Sequence, residues 1–291
     1  MHIKRILIIG CGTLGLRIAL RCAVDGYDVV MYDLTEDKLA KAQEIQQKLL
    51  KSLVNQGLVR EEWAAQIYRK ILITTDKAEA VKGIDLVSES VTENLELKKK
   101  VWSEFAPLFE KHTILTTNTS YLLPSMFAAE TGAPERFCAW HFHDVFIANV
   151  VDIMPHETTQ EAICQQLMEF SKTIHQTPVY VKKESSGYIF NAMLMAVIGS
   201  AGNLLAKDVA TIHDIDRSWM GNLKTPIGPF GMLDQVGLET AWHITSNMKD
   251  EKSQRFAAIL KSYIDEGKLG IKSGEGFYKY PNPAYAQDGF I

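Results

Sequence analysis

Three groups of residues in this 291-residue chain have types and spacings that could do chemistry. The first is Gly10-Cys11-Gly12-Thr13-Leu14-Gly15, a GxGxxG pattern that follows the apolar run Ile6-Leu7-Ile8-Ile9 and opens a helical stretch. In that setting the first glycine permits a tight turn, the second lets a pyrophosphate approach the backbone, and the third lets helix and strand pack closely. Free N–H groups at the helix end face the anion. A glycine turn with no ligand is the bland alternative. Asp33 stands roughly 20 residues further on, after a second apolar run, where a carboxylate accepts hydrogen bonds from an adenosine ribose. Leu34, Thr35, Glu36 and Asp37 follow it, with no arginine to meet a 2′-phosphate, so the pattern favours NAD over NADP. Alone, Asp33 reads equally well as a helix cap.

The second group is His141, which ends an apolar run, and Asp152, on the next candidate strand. Across so short a connection the carboxylate could orient the imidazole of a general base. A histidine at a strand end is more often structural, so spacing by itself does not single it out. The third group, Asn118-Thr119-Ser120, is a polar loop after a strand, and ligands of open α/β sheets sit beyond the carboxyl ends of the strands.

These residues need elements to hold them. From Lys4 to Met31 an apolar run, a glycine turn, a helical stripe of Leu14, Ile18 and Cys22 and a second apolar run make a βαβ unit. Further strands are expected at Ile71–Thr74, Ile84–Ser88, Thr113–Thr116, Phe137–His141, Val150–Met154 and Pro178–Val181. Helices are expected at Lys38–Gln56, Glu62–Tyr68, Leu95–Phe109 and Gln160–Thr173. This alternation argues an α/β, doubly wound, mostly parallel sheet. After Ser185-Ser186-Gly187 only helical periodicity remains: Tyr188–Ala206, Ile212–Met220, Leu238–Met248 and Ser253–Glu266. A second, all-helical domain is expected. Met193–Ile198 is apolar on nearly every face, which suits either a core helix or one covered by another subunit. The segment Gly267–Tyr280 reads as an ordered loop.

Composition narrows the partners. Hydrophobic residues are 46% and charged residues 23%, the balance of a globular protein with a real core, and a formal charge of -4 gives no basic field for nucleic acid. No run of about 18 apolar residues exists, so neither a membrane span nor a signal peptide is read. Cys11, Cys22, Cys138 and Cys164 lie far apart without a CxxC pair and read as reduced cytosolic thiols; no metal site is expected.

Along the whole chain the motifs GxGxxG from Gly10, Asp33, Glu93-Asn94-Leu95-Glu96-Leu97-Lys98, Asn118-Thr119-Ser120, His141-Phe142 and Val150-Val151-Asp152 occur in order. Gly187-Tyr188-Ile189-Phe190-Asn191, Pro226-Ile227-Gly228-Pro229-Phe230 and Lys272-Ser273-Gly274-Glu275-Gly276-Phe277-Tyr278 continue the series. Together they resemble the L-3-hydroxyacyl-CoA dehydrogenase family, which includes bacterial 3-hydroxybutyryl-CoA dehydrogenases. The resemblance implies a Rossmann domain over 1–184 with a helical arm at about 36–70, and a helical substrate and dimerisation domain over 185–291. It implies that His141, oriented by Asp152, takes the proton of a 3-hydroxyl while hydride passes to NAD, with Ser120 and Asn191 placing the substrate oxygens. Gly10, Gly12, Thr13, Leu14, Gly15, Asp33, Glu93, Lys98, Asn118, Ser120, Asp144 and Lys272 match cofactor positions. A cytoplasmic homodimer acting on acyl-CoA in fatty acid metabolism follows from the same likeness.

Three departures stand out. Asp152 replaces the family's glutamate, one residue closer to His141; the family's HFFNP reads His141-Phe142-His143-Asp144-Val145; and Leu49 and Gln56 replace a serine and a lysine that hold CoA adenosine. Lys48, Lys51 and Ser52 could substitute on that helical arm, or form a solvated face. Strand alternation puts His143 on the face of His141 and turns Asp144 away, towards the cofactor. The same machinery serves carnitine- and gulonate-type dehydrogenases of small free acids, and non-catalytic lens crystallins.

Overall fold

The computed structural model describes residues 3–291, and they divide into a compact unit ending at Ile189 and a second running from Phe190 to Ile291. In the first unit, β1 (Arg5–Ile9), α1 (Thr13–Val24) and β2 (Asp28–Tyr32) form the βαβ unit. Then come α2 (Glu36–Asn55), α3 (Ala64–Arg69), β3 (Ile71–Thr74), α4 (Lys77–Ala80), β4 (Leu86–Glu89), α5 (Leu95–Phe105) and β5 (Ile114–Thr117). The unit continues with β6 (Phe137–Phe142), β7 (Val150–Pro155), α6 (Glu161–Thr173) and β8 (Thr177–Tyr180). The eight strands make one sheet in the order β3-β2-β1-β4-β5-β6-β7-β8. All neighbours are parallel except β6 and β7, whose antiparallel register sets His141 opposite Asp152.

The central strands are apolar almost throughout because helices cover both faces of the sheet. Trp102 and Phe105 of α5 fill one side, and Leu16, Ile18 and Cys22 of α1 the other. Thr35 caps α2 and Asn94 caps α5, each side-chain oxygen accepting a backbone N–H of the first turn. The order reverses between β1 and β4, and the crevice at their carboxyl ends is where such sheets bind ligands. The segment 185–189 belongs to this unit: Ser186 Oγ donates to the carbonyl of Tyr121 and Tyr188 Oη to that of Thr119.

The second unit is helical: α7 (Phe190–Ala206), α8 (Ile212–Leu223), α9 (Pro229–Val236), α10 (Leu238–Ser246) and α11 (Glu251–Asp265). The sequence reading missed α9, because Pro226-Ile227-Gly228-Pro229 reads as a turn. Proline at the first helical position gives up an N–H that has no helical partner anyway. Moreover, Asp216 of α8 accepts from the N–H groups of Phe230 and Gly231, a cap that only the tertiary fold provides. The apolar α7 packs one face into the core of its unit and leaves the other open. It buries Ile198, Ala201 and Gly202 and leaves Phe190 and Met193 more than half exposed.

Two buried aspartates explain the glycine motifs of this unit. Asp216 also accepts from Tyr278 Oη at 2.9 Å. Asp234 of α9 accepts from the N–H groups of Phe277 and Tyr278, both at 2.8 Å, and from Tyr280 Oη at 3.0 Å. A Cβ at Gly228 would lie 2.4 Å from Asp216 Cγ and one at Gly276 2.1 Å from Asp234 Oδ1, so glycine is what lets the carboxylates in. Thus Asp234 holds the 276–280 segment. Asp234→Ala leaves two N–H groups and a hydroxyl without their acceptor, at about 1–3 kcal/mol each. Denaturant unfolding is expected to show a loss of at least about 3 kcal/mol with unchanged m, and Asp234→Asn a smaller one.

Candidate active site

The turn after β1 carries the glycine pattern. Gly10 adopts φ +95°, and its N–H donates to the Tyr32 carbonyl at 2.9 Å. A Cβ at Gly15 would stand 2.0 Å from the Gly10 carbonyl oxygen, whereas one at Gly12 would meet nothing within 4 Å. Gly15 therefore serves helix-on-strand packing. Gly12 faces open space, a cavity of about 520 Å³ lined also by Gly10, Thr13, Arg17, Asp33 and Val91. Leu14 is turned the other way and packs on the core. Such a cradle of bare backbone at a helix N-terminus fits a dinucleotide pyrophosphate.

Asp33 is fixed at the mouth of β2. One oxygen accepts from the Cys11 N–H at 2.9 Å and the other from the Leu34 N–H at 2.7 Å, with Lys38 Nζ at 3.5 Å. Lys41, Lys77 and Lys100 line the same cavity, brought there by α2, α4 and α5. None of these three lysines lies among the four residues behind Asp33, so the local sequence carries no sign of them.

The loop after β5 is organised by carboxylates that reach it from below. Glu93 Oε1 accepts from Thr119 Oγ1 at 2.5 Å and from the N–H groups of Ser120, Tyr121 and Leu122 at 2.8–3.2 Å. Burial would raise its pKa, but these donors and the Lys98 charge outweigh that and hold it below the ordinary value. Glu89, which sequence reasoning did not identify, binds Lys98 Nζ at 2.7 Å, Thr117 Oγ1 at 2.7 Å and the Val91 N–H at 2.8 Å. Lys98 is only 1% exposed, so it braces this loop from inside the protein rather than presenting its charge to a cofactor. Asn118 is likewise a tie: its Oδ1 accepts from the Phe142 N–H at 2.8 Å.

Beside that loop lies the imidazole. His141 Nε2 is 3.3 Å from Ser120 Oγ, and Nδ1 is 3.3 Å from Asp152 Oδ2. With Nδ1–H donating to the carboxylate, Nε2 keeps its lone pair for a proton. Burial lowers the His141 pKa and the approach of His143 adds to that, against the pull of Asp152. Burial works against ionisation of Asp152 too, but hydrogen bonds from both imidazoles bring its pKa below the ordinary carboxylate value. The Tyr188 ring stacks on His141 at 4.3 Å and 9°. Its position two residues before Phe190 in the Gly187 motif was the only signal of it in the sequence.

Asp144, which alternation turns away from His141, carries its own counter-ion. Its carboxylate pairs with Arg17 of α1 and accepts from the N–H groups of Phe146 and Ile147. Strand geometry ends at Phe142, and the loop that follows brings Asp144 to Arg17. Lys48, Lys51 and Ser52 lie exposed on α2. In the second unit, Asn191 is in the first turn of α7, and Lys272 pairs with Glu239. Both imidazoles approach one carboxylate oxygen: His143 Nε2 lies 2.8 Å and His141 Nδ1 3.3 Å from Asp152 Oδ2.

The two glycines part fold from binding. Gly15→Ala forces backbone apart and is expected to destabilise the unit by more than about 2 kcal/mol. Gly12→Ala leaves folding intact and weakens NADH at least about tenfold, or roughly 1.4 kcal/mol, by fluorescence titration. Equal stability losses in both would remove the distinction.

Residues 5–185 match the 3-hydroxyacyl-CoA dehydrogenase NAD binding domain, and residues 187–280 match the C-terminal domain of the same family. The mitochondrial hydroxyacyl-coenzyme A dehydrogenase of Sus scrofa is 32% identical over 96% of this chain and 91% of its own length. A 3-hydroxybutyryl-CoA dehydrogenase of Clostridioides difficile is 30% identical over 95% of this chain and 99% of its own. Among solved structures, a diketoreductase superposes with TM-score 0.91 at 37% identity, covering 96% of this chain and all of its own. An (S)-3-hydroxybutyryl-CoA dehydrogenase from Ralstonia eutropha gives 0.87 at 29%, over 97% of this chain and all of its own. With both of its parts matched, the chain belongs to the 3-hydroxyacyl-CoA dehydrogenase family of NAD-dependent oxidoreductases.

Proposed function

We propose that the chain oxidises an L-3-hydroxyacyl thioester of CoA, of short acyl chain, to its 3-oxo form and catalyses the reverse. The observation that carries this reading is the hydrogen-bonded line from Ser120 Oγ through the His141 ring to Asp152 Oδ2. Alcohol oxidation needs a base for the hydroxyl proton and an acceptor for the hydride. NAD, when bound, supplies the acceptor. His141 Nε2 takes the proton, Asp152 steadies the imidazolium, and Ser120 Oγ holds the substrate oxygen beside the ring. Glu93 keeps Ser120 in place through three successive backbone N–H groups. Asn191 and Lys272 are assigned, on the family motif, to the substrate oxygen and the cofactor. Lys48 and Lys51 are assigned to the nucleotide end of CoA.

A second reading is supported by the 37% identity to a diketoreductase and by Leu49 on α2 and Gln56 at its C-terminal cap: a carbonyl substrate without CoA. For the exposed Met193 of α7 we propose a second copy of the chain as cover. Sedimentation of the full chain should then give a dimer. No helix of the described residues is long and apolar enough to cross a membrane. The four cysteines are buried and unpaired, which supports a reducing, cytoplasmic setting.

His141→Ala is expected to lower kcat by at least about a hundredfold while NADH affinity stays within about twofold. Turnover close to the parent would remove His141 as the base. NADH consumption with acetoacetyl-CoA, set against a panel of free 3-oxo and 3,5-dioxo acids, decides between the two readings. Higher kcat/KM for the thioester supports the first, and activity on free acids alone the second.

A further inference from the structure

Resting on the reading of His141 as the base, we propose that His143 is a positioning residue that sets the strength of that base by sharing its carboxylate. His143 stands just past the end of β6, two residues after His141, and the two rings meet edge to face with centroids 4.7 Å apart. Both meet the same atom. His143 Nε2 is 2.8 Å from Asp152 Oδ2, whereas His141 Nδ1 is 3.3 Å from it. The first distance is that of a strong charge-assisted hydrogen bond, and the second lies just beyond the usual N–H···O range. Asp152 is thus committed more tightly to the neighbour than to the candidate base.

An oxygen that accepts from two donors gives each of them less. The negative charge that would steady a His141 imidazolium is partly engaged before any proton arrives, so the base is weaker than an unshared dyad would make it. Four other groups face the His141 ring. Asp152 comes from β7, and Glu93 from the turn before α5 favours the imidazolium from a distance. Ser120 Oγ meets Nε2, and Tyr188 covers the ring face. Among the described residues, Glu93, Ser120 and Tyr188 do not bond Asp152 Oδ2, which meets the two imidazoles. A weaker base stays neutral to lower pH and hands its proton on more readily after hydride transfer, which suits an enzyme that works in both directions.

The test uses full-length parent, His143→Phe and His143→Met, which remove the donor, and His143→Gln, which keeps an N–H donor that cannot become charged. Two quantities are read. One is the acid limb of kcat/KM for alcohol oxidation. The other is the titration of the ¹³C-labelled His141 ring by NMR, assigned by its absence in His141→Ala. Both midpoints are expected to rise by about one pH unit in the phenylalanine and methionine variants and to stay within about 0.3 unit of the parent in the glutamine variant. Unmoved or lowered midpoints without the donor would overturn the proposal and leave His143 as packing. Equal rises in all three variants would overturn it as well, by assigning the effect to the charge of His143. Should His141→Ala keep turning over, the base reading fails, yet the ring titration still reports whether the carboxylate is shared.

Discussion

Because β7 runs antiparallel to β6 with Asp152 directly opposite His141, the two side chains face each other across a pair whose Cβ atoms lie about 4.5–5.5 Å apart, and the rest of the site is arranged round them. A shift of one residue in that register would turn Asp152 to the other side of the sheet. The shorter aspartate arm is sufficient because the strands themselves bring the carboxylate in. Asn118 reinforces the arrangement by accepting the N–H of Phe142, so the loop that carries Ser120 and the strand that carries His141 are bonded to each other.

Carboxylates set among loops do the same structural job in both units. Glu89 and Glu93 gather the backbone between β4 and the loop after β5, while Asp216 and Asp234 gather the turn before α9 and the 276–280 segment. In each case loop N–H groups that no strand or helix would satisfy find an ionic acceptor, which is worth more than a neutral one. The cost is desolvation, offset for Glu89 by the equally buried Lys98. This division explains why several residues matched to cofactor positions do not face the cavity. Lys98 and Asn118 are engaged in holding the loops on either side of it.

Asp144 and His143, the two departures within one motif, have separate fates. Asp144 is neutralised by Arg17, which lines the dinucleotide cavity, so that substitution fastens α1 to the loop after β6. His143 enters the chemistry instead, through Asp152. Neither partnership follows from spacing, since Arg17 and Asp144 are 127 residues apart.

The sequence alone determined the layers, because apolar runs of period two and stripes of period 3.6 record which faces must be buried. Ile71–Thr74 was read to the residue, and most other elements to within a few residues. It also determined the dinucleotide turn, since the glycines answer steric demands that are local: the positive φ of Gly10 and the contact of Gly15 with Gly10. Helix α9 was hidden because its cap comes from another helix. The direction of β7, the stacking of Tyr188 on His141, the lysines around Asp33 and the choice of Asp152 by two imidazoles were decided only by the tertiary structure. Each depends on which distant backbone lies alongside, and hydrophobic periodicity carries the face of a residue but not the identity of its neighbour across the sheet.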